Sequence, residues 1–424
     1  DKARRSIHLE RLAHKPALFG WLQQQWADLF HADFEVLLYD LTSTYFEGAM
    51  AANPKAKRGY SRDQRPDCLQ VVIALVITTD GFPLAYEVMP GNTSDRTTLP
   101  QFLAHVERTY GQARRVWVMD RGIPSEAILA DMRASGRPTF YLVGTPKGKL
   151  QQHVQRWLHL PWQQVRDSIQ VKLYAHEGEL YVLARSDGRQ QKEIAMRRKR
   201  LARLLRTLRA MQRRPPSRDQ LLLRLGAAKK AAGRAFTFVT IQRPAAAQPV
   251  TRETFHFHLD TARLQAAQLR DGYYLLRSNL TADDPAVLWT RYMQLTQIEA
   301  AFRSLKSDLS LRPIHHQLEH RIDAHIFIAF LAYCLQVTLK NRLRQHASGL
   351  TPTAVLEKLA SIQLIDVWIP TCDGRWLILP RYTQPDRDLQ LLLHHLQLTL
   401  PAQPPPRIRA APAPAAAAAQ GSLW

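Results

Sequence analysis

Apolar and polar positions alternate between two rhythms along this chain. Short runs rich in β-branched and aromatic residues predict strands. Residues 34–42 (FEVLLYDLT) form one that ends in Asp40. Residues 70–78 (QVVIALVIT), a turn at Asp80-Gly81 and a return over 82–89 predict a hairpin. Residues 115–120 (RVWVMD) predict a buried strand ending in Asp120, and 139–143 another. Helical periods lie between them, over 97–110 and, capped by Ser125, to about 134. Residues 1–30 read as helical and amphipathic, broken in two by Pro16 and Gly20. Residues 48–69 are polar and basic and predict a surface loop.

The pattern then changes. A hairpin about His176-Glu177-Gly178 precedes a long helix over about 190–214, which stops at Pro215-Pro216. Strands are predicted at 236–241 and 254–259, and residues 272–278 return to the first pattern. The expected division is an N-terminal helical segment (1–33), a first core part (34–145), an insertion domain with the basic helix (146–271) and a second core part (272–347). A helical and hairpin region (348–400) and a disordered Pro/Ala-rich tail (401–424) follow. The fold class is α/β: a mixed sheet flanked by helices, interrupted by a β-containing insertion, with a helical C-terminal region. Strand ends carrying carboxylates, followed later by an acidic helix, resemble an RNase H-like nuclease core.

Residues 284–312 are free of Gly and Pro between Pro285 and Pro313. Capped by Asp283 or Asp284, this stretch predicts one helix of about seven turns. Tyr292, Glu299 and Lys306 recur every seven residues and would share a face, beside a stripe of Leu295, Ile298, Phe302 and Leu309. A solvated ladder of Glu299, Arg303 and Lys306 is the plain alternative.

Composition narrows the chemistry. A net charge of +22 over 424 residues points to a polyanion, nucleic acid first. The three cysteines, Cys68, Cys334 and Cys372, are scattered, which fits a reducing compartment rather than disulfides or zinc. The run 326–335 is too short to span a bilayer and reads as a buried helix, and no signal peptide is recognised. The chain begins at Asp1 rather than Met, as a fragment or processed form would. Residues 197–214 (RRKRLARLLRTLRAMQRR) hold nine Lys/Arg in eighteen residues and no acid, a helix suited to DNA phosphates through Arg197, Arg198 and Arg200.

Asp40, Asp120 and Glu299 are the candidate ligands for a divalent metal, since hard cations take oxygen donors. Two such ions could activate an attacking hydroxyl and stabilise the leaving oxygen of a phosphodiester. Asp80 reads as turn chemistry, Asp95 as a helix cap or a support to the metal site, and His315 and His316 as phosphate contacts or solvated groups.

The spacing Tyr292-x2-Leu295-x3-Glu299-x6-Lys306 resembles the Y-x2-R-x3-E-x6-K signature of bacterial insertion-sequence DDE transposases of the IS-four superfamily. DLTSTYFEG from Asp40, KRGYSRDQRPD from Lys57, GNTSD from Gly91, VMDRG around Asp120 and FRSLKSDLSLRPIHHQ from Phe302 agree with it. The resemblance covers about residues 36–347. It implies that Asp40, Asp120 and Glu299 are a catalytic triad holding Mg²⁺ (Mn²⁺ as a substitute), in two ions. It implies too that Tyr292 and Lys306 grip the backbone near the cut, with Lys57 and Arg58 among the DNA contacts, and that the insertion helps bind the transposon end. The signature arginine is Leu295 here, and Arg303, one turn past Glu299, is the expected replacement. Only 39 residues precede Asp40, where such enzymes usually carry an end-recognition region, as in an N-terminally truncated copy.

The expected function is transposition: metal-dependent cleavage at element ends and attack of the freed 3′-hydroxyl on target DNA. Double-stranded DNA is the partner, a homodimer the synaptic form, no membrane is involved, and the bacterial cytoplasm and nucleoid are the location. The alternatives are a metal nuclease on the same core without strand transfer, and a DNA-binding derivative without catalysis.

Overall fold

The strand-forming runs build a mixed α/β fold with a large mixed sheet. The computed structural model describes residues 14–409, apart from 51–52, 112, 135, 137–138, 147–156, 158, 247 and 282–283. In chain order the first elements are α1 (Lys15–Phe30), β1 (Val36–Tyr45), β2 (Gln70–Thr78), β3 (Pro83–Pro90), α2 (Asp95–Tyr110), β4 (Arg115–Met119), α3 (Glu126–Ala134) and β5 (Thr139–Thr145). Then come β6 (Gln163–Arg166), β7 (Ile169–His176), β8 (Glu179–Ser186), α4 (Asp187–Arg213), α5 (Arg218–Ala232), β9 (Val239–Gln242), β10 (His256–Leu259), α6 (Thr261–Gln268) and β11 (Tyr273–Ser278). The last are α7 (Pro285–Met293), α8 (Leu295–Arg303), α9 (Glu319–His346), α10 (Pro352–Leu359), β12 (Leu364–Pro370), β13 (Trp376–Tyr382), α11 (Arg387–His395) and β14 (Arg407–Arg409).

The chain divides into two units. One is Phe34–Leu41 with Thr93–Ile298; the other is Asp1–Asp33, Thr42–Asn92 and Glu299–Trp424. Strand β1 and helix α8 each run from one into the other.

In the first unit the strand order is β1-β4-β5-β11-β8-β7-β6. β1, β4 and β5 are parallel, and β11 lies antiparallel between β5 and β8. The all-apolar core of β4 (Val116, Trp117, Val118, Met119) is buried, as a central parallel strand requires. Tyr39 packs against Phe102 of α2, the ring centroids 5.3 Å apart, and bonds Thr98 at 3.0 Å, fixing that helix on the sheet. The hairpin β7–β8 extends this sheet, so part of the expected insertion shares the core's strands. Helices α4 and α5 close a small core of their own, with Leu204, Leu208, Met211, Leu221, Leu225 and Phe255. Helix α5 is set by local signals: Ser217 caps it, accepting from the Gln220 N–H, and Leu221, Leu225, Ala228 and Ala232 form its buried face. Residues 233–238 are 3₁₀ rather than strand.

In the second unit β2 lies between β3 and β1. Every residue of β2 is buried, and Gly81 takes a positive φ of 95° in the hairpin turn. The apolar 28-residue α9 is long and apolar enough, by length and composition, to cross a membrane. One side of it packs within its unit: Phe327 and Phe330 pack on Phe19, Phe330 on Tyr86, and Tyr333 donates to the Gly81 carbonyl.

Four expectations need correction. Pro16 opens α1 and Gly20 sits inside it, because Pro is compatible with a first helical turn; the segment before residue 14 lies outside the described residues. Ser94, not Asp95, occupies the N-cap of α2. The tail is ordered at first: β14 pairs with β13, with Ile408 opposite Leu377; residues 410–424 lie outside the described ones. The 284–312 helix is interrupted, at Gln294 and past Arg303.

Candidate active site

Asp40 lies within β1, which runs on to Tyr45 rather than stopping near the carboxylate as the sequence suggests, while Asp120 directly follows the end of β4. β1 pairs with β4 in parallel register, Tyr39 opposite Met119. One residue on, Asp40 and Asp120 follow that pair at the same level of the two neighbouring chains. Asp40 is half-buried and Asp120 exposed. Each Oδ1 is oriented by the next backbone N–H, of Leu41 at 2.8 Å and of Arg121 at 2.7 Å. Asp120 Oδ1 also accepts from Tyr292 Oη at 3.2 Å.

The room for that phenol comes from Gly144 on β5. β4 and β5 run parallel with Met119 opposite Val143, so Gly144 lies beside Asp120. A Cβ at Gly144 would stand 2.5 Å from Tyr292 Oη. Burial first, and the Asp120 charge second, push the Tyr292 phenol far above its ordinary pKa, so it remains a donor. Sequence reading missed Gly144; a glycine near the end of an otherwise β-branched strand is the signal that could have found it.

The helix bearing Glu299 is built in pieces. Asp284 caps α7, accepting from the Ala286 N–H at 2.8 Å. Gln294 then makes a turn between α7 and α8, where its N–H bonds the Arg291 carbonyl, three residues back. Past Arg303 the chain widens into a π turn over Ser304–Asp308. The simple seven-residue phase linking Tyr292, Glu299 and Lys306 is therefore broken twice, because it assumed an unbroken helix. Glu299 and Arg303 are exposed, while Ile298 and Phe302 are buried. Among the described residues no group of three or more His, Cys, Asp or Glu side chains stands ready to hold a metal ion.

Lys306 is occupied within its own unit. Its Nζ lies 2.8 Å from Asp63 Oδ1, an oxygen that also accepts from Arg312. The Asp63 side chain is 3% exposed and that of Lys306 9%. Burial lowers the Lys306 pKa against the opposing pull of Asp63. Arg312, 34% exposed, carries the positive charge of this cluster toward solvent. Asp63 sits in the basic loop, and nothing in its spacing marked it as Lys306's partner.

The basic helix α4 divides its arginines. Arg197 forms a two-pronged ion pair with Asp271, both largely buried. Arg198 and Arg200 are exposed, as are Lys57 and Arg58. Asp80 lies in the β2–β3 turn, 3.4 Å from Arg344. His315 lies 3.9 Å from Glu47, and the His316 ring 5.4 Å from that of His325. A further buried network went unread in the sequence: Glu179 gathers Arg133 and Arg277, each at 2.6 Å, and Tyr141, joining α3, β5, β8 and β11.

No curated protein matches this sequence. A solved cryo-EM structure, a piggyBac transposase synaptic complex with hairpin DNA, is similar at a TM-score of 0.36 and 9% identity, over 88% of this chain and 67% of that one. The family described as the Transposase DDE domain matches residues 32–335, which include Asp40, Asp120, Tyr292 and Glu299. The chain belongs to that transposase family.

Proposed function

We propose that this chain is a metal-dependent DNA transposase of the IS-four type that cuts at element ends and joins the freed 3′-hydroxyl to target DNA. The observation that carries this is the pair Asp40 and Asp120, which follow the register pair Tyr39–Met119 of the adjacent parallel strands β1 and β4, in a chain of the DDE family. The β3-β2-β1 run in one unit and the β1-β4-β5 run in the other support an RNase H-like core. The segment from α4 to β10, with its separate core, is the insertion.

Transposases of this family use divalent metal ions. The donor set fits: two carboxylates side by side are what a hard cation such as Mg²⁺ takes, leaving positions for substrate oxygens. Asp40 and Asp120 would hold the ion, and Glu299 is the proposed third carboxylate. When bound, the metal supplies Lewis-acid activation of the phosphodiester and of its attacking hydroxyl.

The chain's own residues prepare that site. Arg121 N–H and Tyr292 Oη fix the rotamer of Asp120. Exposed Arg198, Arg200, Arg303, Lys57 and Arg58 supply positive charge to DNA phosphates. Two chains on two ends would form the synaptic complex.

Strand joining separates this function from a simple nuclease. With a labelled, pre-cut element end and supercoiled target, covalent joining of the end to the target is expected. Cleavage without any joined product would assign a nuclease instead.

A further inference from the structure

We propose that Tyr60 is a stacking platform for an unpaired DNA base. The proposal rests on the DNA-acting function above and names a contact that function does not include. Tyr60 is 82% exposed, more than any other described large apolar side chain. A lone exposed ring is ordinary on a protein surface; what singles this one out is its setting.

The backbone beneath Tyr60 is firmly held. Gln70, 1% exposed, donates from Nε2 to the Tyr60 carbonyl at 3.2 Å and to the Gly91 carbonyl at 2.8 Å. Lys57 and Gln70 exchange both backbone hydrogen bonds, at 3.2 and 3.0 Å. Gly59 lies so close to Gly91 that a Cβ there would sit 2.1 Å from the Gly91 carbonyl oxygen. Arg62 N–H bonds Ser43 Oγ at 3.0 Å on the far side. The ring is thus presented from a pinned loop, with little ordering left to lose on binding.

Its surroundings choose the partner. Lys57 and Arg58 are exposed beside it, and the Arg62 guanidinium lies 6.0 Å from the ring centroid. The acids of the loop do not cancel this charge: Asp63 is turned in under Lys306 and Arg312, and Asp67 is paired with Arg65 at 2.9 Å. An apolar protein partner would have to bury these cations. A nucleic-acid strand offers the complement, phosphates for the cations and a flat face for the ring. In an intact duplex base faces are already stacked, so the occupant is a base unpaired at a strand end or extruded from the helix.

The test compares the parent with Tyr60→Ala, Tyr60→Phe and Lys57→Ala. The probe is a short thymidine oligonucleotide carrying 5-iodo-2′-deoxyuridine, alone and annealed to its complement. Expected are photocrosslinking to Tyr60 on the single strand, and a loss of single-strand affinity in Tyr60→Ala of about fivefold to a hundredfold. Tyr60→Phe should bind as the parent does. The salt dependence of Tyr60→Ala should match the parent's, while that of Lys57→Ala becomes shallower. Equal single-strand affinity of Tyr60→Ala and parent would overturn the inference and leave the transposase reading standing, provided the parent still nicks plasmid DNA. A parent that binds neither form of the probe would overturn both.

Discussion

Tyr292 donates to the Asp120 carboxylate at 3.2 Å through the gap left by the missing side chain of Gly144. This links a residue of the signature helix to a carboxylate at a strand end. Removing the hydroxyl in Tyr292→Phe should lower DNA nicking about tenfold to a hundredfold, the worth of a hydrogen bond to a charged group. Gly144→Ala should cost a similar factor by displacing the ring. The double variant should lose little more than either alone, because both act through one contact. Full additivity in single-turnover nicking rates would separate the two residues.

Asp63 is a buried carboxylate that gathers Lys306 and Arg312. Asp63→Ala would strand Lys306, 9% exposed, without its counter-charge. A destabilisation of about 3 kcal/mol is expected in urea unfolding, as for other broken buried pairs. An unchanged midpoint would show that Lys306 finds a new partner.

The arginines of α4 should behave unequally. Arg198→Ala and Arg200→Ala should leave stability intact and flatten the fall of DNA affinity with salt by about one counterion each. Arg197→Ala should instead lower stability, since it leaves Asp271 buried and unpaired. Salt-titrated binding and thermal melts on the same three variants test this division.

Lys15 is pushed down to about 8 by burial, against Asp323 and Glu87 and with Lys55 adding to the shift. Its Nζ lies 3.5 Å from the centre of the Tyr86 ring. A lysine whose folded pKa lies below its unfolded value binds fewer protons when folded. Its burial cost is therefore fully present below pH 8 and is relieved as pH rises toward the unfolded value near 10.5. The stability of the parent relative to Lys15→Met should rise over that window, by at most about 1.4 kcal/mol per pH unit. A difference independent of pH would show that Lys15 does not titrate there.

Much of this was legible in the chain because the signals were local. The strand end at Asp120, the Asp80-Gly81 hairpin, the Ser125 cap and the stop at Pro215 follow from turn chemistry and period, whereas β1 runs past Asp40 because the Thr- and Tyr-rich residues after it are also strand formers. What stayed hidden depends on contacts distant in sequence. The pairing of Asp63 with Lys306 spans 243 positions and the space at Gly144 concerns a ring 148 residues away, counted from their residue numbers. The break at Gln294 has no Gly or Pro to announce it, so composition alone favoured one straight helix. Strand β14 escaped notice because its surroundings are Pro- and Ala-rich, and only the edge of β13 gives Ile408 a partner.

The proposal to be tested first is that Asp40, Asp120 and Glu299 each serve DNA cleavage with a divalent ion. Nicking of supercoiled plasmid in Mg²⁺ or Mn²⁺, by the parent and by Asp40→Asn, Asp120→Asn and Glu299→Gln, tests it most directly. The account predicts metal-dependent nicking by the parent and a loss of at least about a hundredfold in each variant, with DNA binding retained. Full activity in any one of the three variants would remove that residue from the site, and metal-independent nicking by the parent would contradict the mechanism itself.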